Sequence, residues 1–107
     1  MLNTDLPVSE EKKCIAGALL ILGDKWTALI IREMSSSPQK FSNLEKNLNG
    51  ISPRTLSQRL DKLTEHNIIN KKLYCDKPPR YNYFLTRKGE GLKQILEDMV
   101  SWSDQYS

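Results

Sequence analysis

The residues best suited to chemistry in this chain are hydrogen-bonding side chains on one face of a predicted helix. Ser52 is suited to cap that helix, and Pro53 to its first position, where no N–H is required. Leucines recur at helical spacing behind them, so the opposite face is polar. Arginine fits the two acceptors of guanine, and glutamine the acceptor–donor pair of adenine. The pattern predicts base contacts from Arg54, Thr55 and Gln58, and phosphate contacts from Ser52, Arg59 and Lys62.

A cationic hairpin is predicted to follow this helix. The runs 68–74 and 81–85 are rich in β-forming residues, and the polar segment 76–80, with two prolines, separates them. Such a wing can follow a neighbouring minor groove, and its prolines lower the entropic cost of docking. The cations on this wing are Lys71, Lys72, Lys77 and Arg80.

The distribution of charge supports a phosphate-facing surface on this module. Residues 51–91 carry nine Lys/Arg and four Asp/Glu, a balance of +5, whereas residues 1–50 balance to 0 and residues 92–107 to −2. Two alternatives remain open. The basic face can be an ordinary solvated surface, and a winged helix can serve as a protein-interaction or dimerisation module without DNA binding.

The remaining segments predict a single, mainly α (α+β) domain over residues 1–107. A first helix is expected over about 9–22 and a second after the cap Asp24. A third is expected over 42–48 with a Ser42/Glu45 capping box, and a last over about 87–105 after the cap Thr86. Asn49-Gly50 supplies the turn before the polar helix. The expected fold is a winged helix-turn-helix of five to six helices with a two- or three-stranded antiparallel sheet.

Other functional classes find little support in the sequence. There is no glycine-rich phosphate loop and no nucleophile motif, and His66 is the only histidine, so neither an enzyme nor a metal or cofactor site is expected. No signal peptide or apolar span is visible, and two cysteines, Cys14 and Cys75, suit a reducing compartment. These features predict a cytoplasmic protein without a membrane partner.

The terminal helices carry more apolar residues than a chain end requires. A lone winged helix buries little surface for specific binding, and a second copy on a second half-site relieves that limit. A two-fold homodimer would bind double-stranded operator DNA with an inverted repeat. Alternatively, the apolar stripe on the last helix covers the core of its own domain. The expected interface residues are Ile15, Leu19, Leu92, Ile95, Met99 and Trp102.

Residues 14–102 resemble the HxlR-type family of winged helix-turn-helix transcriptional regulators. The matching residues are Cys14, Leu22-Gly23-Asp24-Lys25-Trp26-Thr27, Phe41-Ser42-x-Leu44, Gly50-Ile51-Ser52-Pro53-Arg54-Thr55-Leu56-Ser57-Gln58-Arg59-Leu60, Leu63, Pro78-Pro79-Arg80-Tyr81-x-Tyr83-x-Leu85-Thr86 and Gly89. The resemblance implies a bacterial, cytoplasmic, homodimeric regulator that binds operator DNA and dimerises through its first and last helices. It also implies that Ser52, Arg54, Thr55, Gln58 and Arg59 lie in the recognition helix, and Lys77 and Arg80 in the wing.

Cys14 is a candidate redox or electrophile sensor. Lys12, Lys13 and a helix N-terminus all favour its thiolate. The resemblance adds that some family members sense quinones, aldehydes or oxidants through a cysteine at this place. One departure is Ile15, where the family often has proline. The alternative is a small buried helix residue. The sequence locates no pocket for a small-molecule effector.

Overall fold

A computed structural model of the chain describes residues 16–19 and 21–106. Residues 16–19 and 21–22 are helical. The helices that follow are α1 (Lys25–Glu33), α2 (Phe41–Asn47), α3 (Pro53–Glu65) and α4 (Arg87–Tyr106), and the strands are β1 (Gln39–Lys40), β2 (Ile69–Asp76) and β3 (Pro79–Leu85). The predicted start of the first helix, with Cys14 and Ile15, lies outside the described residues.

The elements form the predicted winged helix-turn-helix. Helices α2 and α3 are joined by a turn in which Gly50 has φ +94°, a conformation that glycine adopts without steric cost. The sheet is three-stranded and antiparallel in the order β1-β3-β2. The core joins α1, α2, α3 and the start of β2. Its buried members are Ile30, Ile31, Met34, Leu44, Leu48, Ile51, Leu56, Leu60, Leu63, Ile68 and Ile69.

Three predicted helix caps are confirmed and one is wrong. The Asp24 carboxylate accepts from the Thr27 N–H at 3.0 Å, and the Ser52 hydroxyl from the Thr55 N–H at 3.0 Å. Thr86 Oγ1 accepts from the Gly89 N–H at 3.2 Å. The predicted capping box at Ser42 is absent, because β1 leads directly into α2, whose N-cap residue is Lys40 without a side-chain cap bond.

The wing is longer than predicted and its tip is shorter. The two strands extend to residues 76 and 79, so the tip is a turn at residues 77–78. Asp76 pairs with Pro79 and Cys75 with Arg80, which places Arg80 within a strand and not on a loop. Proline is compatible with the first position of a strand. The register shifts between Leu73 and Cys75, so the outer part of the wing is irregular.

The first turns of helix α4 pack against the core, and the rest of the helix extends beyond it. At its first turn Gly89 is buried, and a Cβ at this position would lie 2.2 Å from the Ile68 carbonyl oxygen, so only glycine permits this approach. Leu92 and Leu96 pack against the core, whereas the apolar side chains further along are exposed.

Among the residues that the structure describes, no helix is both long enough and apolar enough to cross a bilayer.

Candidate nucleic-acid interface

The polar face of α3 is presented to solvent by a fully buried leucine stripe. Leu56, Leu60 and Leu63 pack into the core, which turns the opposite side of the helix outward. Arg54 and Gln58 are exposed one turn apart, and Thr55 lies between them, half-buried. The arginine and the glutamine therefore extend from the first turn and a half of α3, as the sequence predicted.

The start of α3 is fixed by a small hydroxyl network. Ser52 Oγ accepts from the Thr55 N–H and donates to Thr55 Oγ1 at 2.9 Å. Both hydroxyls are thus ordered before any ligand binds, and Pro53 follows at the first helical position. Pro53 has no N–H and that of Thr55 is bonded to Ser52, so the Arg54 N–H is the group of this turn left without a helical acceptor, and it favours an anion at this end of the helix.

Arg59 is tied to the protein and does not project freely like Arg54. Its Nε donates to Asp24 Oδ2 at 2.7 Å and its Nη2 to Asp24 Oδ1 at 3.4 Å. The hydrogen bond from Arg59, aided by those from Thr27, lowers the pKa of Asp24 from 3.8 to about 2, although partial burial opposes this shift. Asp24, which the sequence identified as a helix cap, therefore has a second partner on α3.

The wing cations occupy different parts of the hairpin. Lys72 and Lys77 are exposed, and Lys72 lies opposite Asn82 in the strand register. The Lys71 ammonium lies 4.3 Å from the centre of the Tyr81 ring, so it is held over an aromatic face. Lys62, near the end of α3, is half-buried. The structure thus places the predicted cations on two elements, α3 and the wing.

A groove that the sequence did not reveal separates α3 from the wing. Its volume is about 380 Å³. Burial, with smaller contributions from Asp61 and Tyr81, raises the pKa of Tyr83 above its ordinary value of 10.0. The groove brings together Ser57 of α3 and Arg80 of the wing. Its full lining is Phe41, Ser42, Ser57, Tyr74, Pro79, Arg80, Tyr81 and Tyr83.

A metal site requires several His, Cys, Asp or Glu side chains close together. Within residues 16–19 and 21–106, no three His, Cys, Asp or Glu side chains come together as a possible metal site. The described arrangement offers hydrogen-bond donors, cations and ordered hydroxyls. This chemistry suits the binding of an extended polyanion.

The predicted interface residues on the terminal helices divide into two groups. Leu19, Ile95, Met99 and Trp102 are exposed, and the Trp102 and Tyr106 rings lie 5.5 Å apart. Leu92 instead packs against the core of its own chain, because it lies only one turn from the buried Gly89. The alternative that the stripe covers its own domain thus applies to the first turns of α4.

Comparison with known proteins identifies the family. Residues 21–107 match the model of the HxlR-like helix-turn-helix. The chain is 30% identical over 89 residues to the transcriptional regulator YodB of Bacillus subtilis, covering 83% of this chain and 80% of YodB.

Two solved structures have the same fold. Quinone-bound YodB from B. subtilis matches with a TM-score of 0.76 and 28% identity, covering 86% of this chain and 96% of that one. The oxidised form of the redox regulator HypR matches with a TM-score of 0.77 and 25% identity, covering 87% of this chain and 96% of that one. The chain therefore belongs to the HxlR-like helix-turn-helix family of transcriptional regulators, which are not enzymes.

Proposed function

We propose that this transcriptional regulator acts as a homodimer that binds double-stranded operator DNA with an inverted repeat. The observation that carries the proposal is the face of α3. Arg54 and Gln58 are exposed above a leucine stripe that is fully buried. A helix in the major groove requires this division, since one face must be anchored while the other reaches base edges.

The wing and the groove beside it support a backbone contact next to the helix. Ser57 of α3 and Arg80 of the wing both line the groove between these elements. A DNA strand leaving the major groove would pass between these elements, with Lys72 and Lys77 on the wing beyond. We propose Ser52, Lys62, Lys72, Lys77 and Arg80 as phosphate contacts, and Arg54, Thr55 and Gln58 as base contacts.

The second copy is proposed to dock on the exposed part of α4. Ile95, Met99 and Trp102 form one face of the helix, with the exposed Leu19 as a further apolar side chain. A patch of this kind on a small domain commonly marks an interface. Ile15 and Leu92 remain candidate interface residues, of which Ile15 lies outside the described part of the chain. A symmetric dimer matches the symmetry of an inverted repeat.

We also propose that DNA binding responds to oxidants or electrophiles through Cys14, which lies outside the described residues. The support is twofold. Lys12 and Lys13 precede this cysteine and favour its thiolate. Two similar proteins are a redox regulator and a quinone-bound regulator. If the proposal holds, a quinone should weaken DNA binding by the wild type and leave the Cys14→Ser variant unaffected. An equal response of both proteins would reject Cys14 as the sensor.

The alternative, a protein-interaction module without DNA binding, explains fewer of these features. A scaffold domain gains nothing from Arg54 and Gln58 standing exposed one turn apart beside a wing with several cations. Salt separates the two functions. DNA binding through several phosphates weakens steeply with added salt, by a log–log slope of about −0.9 per contact.

The test is the selection of bound duplexes from a random pool at two salt concentrations. Wild type should recover an inverted repeat, and the Arg54→Ala, Gln58→Ala variant should lose it, because each good base contact contributes about 1–3 kcal/mol of discrimination. Glu45→Ala, at an exposed residue of α2, is the control for an altered surface. A pool without any enriched motif, bound equally by both proteins, would favour the protein-interaction module.

A further inference from the structure

We propose that Asp24 and Arg59 form a positioning pair that fixes the orientation of α3 on α1, and that Arg59 affects DNA binding through Asp24 without touching a phosphate. The inference rests on the proposed function, since it concerns how the DNA-reading face is presented. It changes the predicted role of Arg59, which the sequence assigned to the DNA backbone.

The Asp24 carboxylate is a fixed anchor. Its Oδ2 accepts from the Thr27 N–H at 3.0 Å and from the Thr27 hydroxyl at 2.6 Å, and Thr27 itself is buried. The same oxygen accepts from Arg59 Nε at 2.7 Å. One carboxylate thus caps α1 and holds α3. Because the cap bonds determine the orientation of the carboxylate, the arginine must meet it in one geometry.

Arg59 is well placed to set the rotation of α3 about its axis. It follows Gln58 directly and lies one turn after Thr55, so it borders the face proposed to read bases. Leu56, Leu60 and Leu63 fix the depth of the helix in the core, but apolar packing is less directional than a charge-assisted hydrogen bond. The side chains of Arg59 and Asp24 are only 29% and 30% exposed, which limits alternative geometries.

A direct phosphate contact by Arg59 would be unfavourable in this arrangement. Two of its nitrogens are bonded to Asp24, so the guanidinium is held on that carboxylate, and a phosphate at the remaining N–H groups would lie near the Asp24 charge. The Asp24 carboxylate is negative at neutral pH and would repel the incoming phosphate, whereas its bond with Arg59 favours the charged form and lowers its pKa to about 2. The pair therefore serves to orient α3, while the exposed Arg54 remains available for DNA.

The experiment compares the full chain with Asp24→Asn, Arg59→Gln and their double variant. Asparagine is also a good N-cap, so Asp24→Asn removes the charge while it keeps a cap on α1. The probe is a labelled duplex that carries the sequence selected by wild type, with a scrambled duplex for comparison. Affinity is measured over a range of salt concentrations, and thermal unfolding verifies that each variant is folded.

Each single variant should bind the selected duplex roughly tenfold more weakly, as expected for loss of a coupled pair, and the double variant should bind no worse than the weaker single one. The salt slope should stay at the wild-type value, since no phosphate contact is lost. Binding to the scrambled duplex should change little. Arg59→Lys keeps a cation beside Asp24 but not the two directional bonds, so it should restore only part of the affinity. Lys72→Gln should instead lower the slope by about 0.9.

Two results would overturn the inference. One is a slope lowered by about 0.9 in Arg59→Gln together with unchanged or tighter binding by Asp24→Asn, which is the behaviour of a direct phosphate contact. The other is wild-type affinity in both single variants. A wild type that shows no salt-dependent binding to any duplex would instead reject the proposed function itself.

Discussion

Helices α3 and α4 both carry an apolar stripe, but the rest of the described chain covers only that of α3. Leu56, Leu60 and Leu63 of α3 are 0%, 2% and 1% exposed. Ile95, Met99, Val100, Trp102 and Tyr106 of α4 are 45–66% exposed. The two helices therefore differ in what their polar and apolar faces are available to do.

In the proposed function, this difference corresponds to two roles, with α3 contacting DNA and the outer part of α4 contacting a second copy. The core around α3 is complete within one chain, so its polar face is held rigidly and can be matched to a groove. The outer part of α4 exposes large apolar side chains to water, which is unfavourable unless another surface covers them. The described chain thus presents two surfaces, a polar one on α3 and an apolar one on α4.

The largest expected effect comes from placing charge on the apolar face of α4. Met99→Glu combined with Trp102→Glu should give a folded monomer, because both side chains are exposed in the single chain and make little contribution to its core. Affinity for an inverted repeat should fall roughly a thousandfold, since linked binding to two half-sites is lost. Light scattering gives the mass, and fluorescence anisotropy the affinity.

The matched control adds the same charge to another face of α4. Gln94 and Ser101 are exposed and lie away from the apolar stripe. The double variant Gln94→Glu, Ser101→Glu should therefore remain dimeric and bind the inverted repeat. If the Met99, Trp102 variant keeps the dimer mass and full affinity, the exposed stripe of α4 is not the interface.

Local sequence signals predicted α3 well and the long-range contacts poorly. The Ser52 cap, Pro53 and the leucine spacing all act within one helix, so they predict that helix without knowledge of the tertiary structure. The Ser42 capping box failed because β1 pairs with β3 and leads straight into α2. The bond between Asp24 and Arg59 joins residues 35 positions apart, and no local pattern indicates it.

Two further features could not be predicted from local sequence, because both depend on tertiary packing. They are the groove beside the wing and the division of the apolar α4 residues into packed and exposed ones. The groove combines side chains from α2, α3, β2 and β3, which only the completed fold brings together. Leu92 and Ile95 look equivalent in the helical pattern of α4, yet only Leu92 packs against the core. The sequence period identifies an apolar face but does not show where along the helix the core ends.

Gly89 allows the start of α4 to pack closely against Ile68, at the junction between the core around α3 and the exposed part of α4. Gly89→Ala should lower the free energy of unfolding by about 2 kcal/mol, since a Cβ would meet the Ile68 carbonyl oxygen at 2.2 Å and Leu85 Cδ2 at 3.0 Å. Urea unfolding gives the value. The helix propensity gained with alanine offsets only part of this loss.

Gly91 provides the control on the same helix. A Cβ at Gly91 meets no atom within 4 Å, so Gly91→Ala should raise the free energy of unfolding by about 0.5–1 kcal/mol through helix propensity alone. Equal stabilisation by Gly89→Ala and Gly91→Ala would mean that the start of α4 does not pack against Ile68. The part of α4 that contacts the core would then lie elsewhere along the helix.

The smallest expected effect concerns the pH dependence of the bond between α1 and α3. The pKa of Asp24 is lowered from 3.8 to about 2 in the folded chain, first by the hydrogen bond from Arg59. A lowered pKa stabilises the fold at pH values above about 4, and this contribution is lost as the pH falls towards 2. The shift corresponds to about 2.5 kcal/mol, which solvent screening at a side chain 30% exposed reduces to about 1 kcal/mol.

Urea unfolding at several pH values between about 2.5 and 7 measures this contribution. Asp24→Asn should be less stable than wild type by about 1 kcal/mol at pH 7, and the difference should shrink as the pH approaches 2, because wild type alone loses the charged bond. Arg59→Gln removes the main cause of the lowered pKa and should flatten the same part of the curve. If the difference between wild type and Asp24→Asn stays constant with pH, the two side chains are not joined in solution, and the leucine stripe alone holds α3.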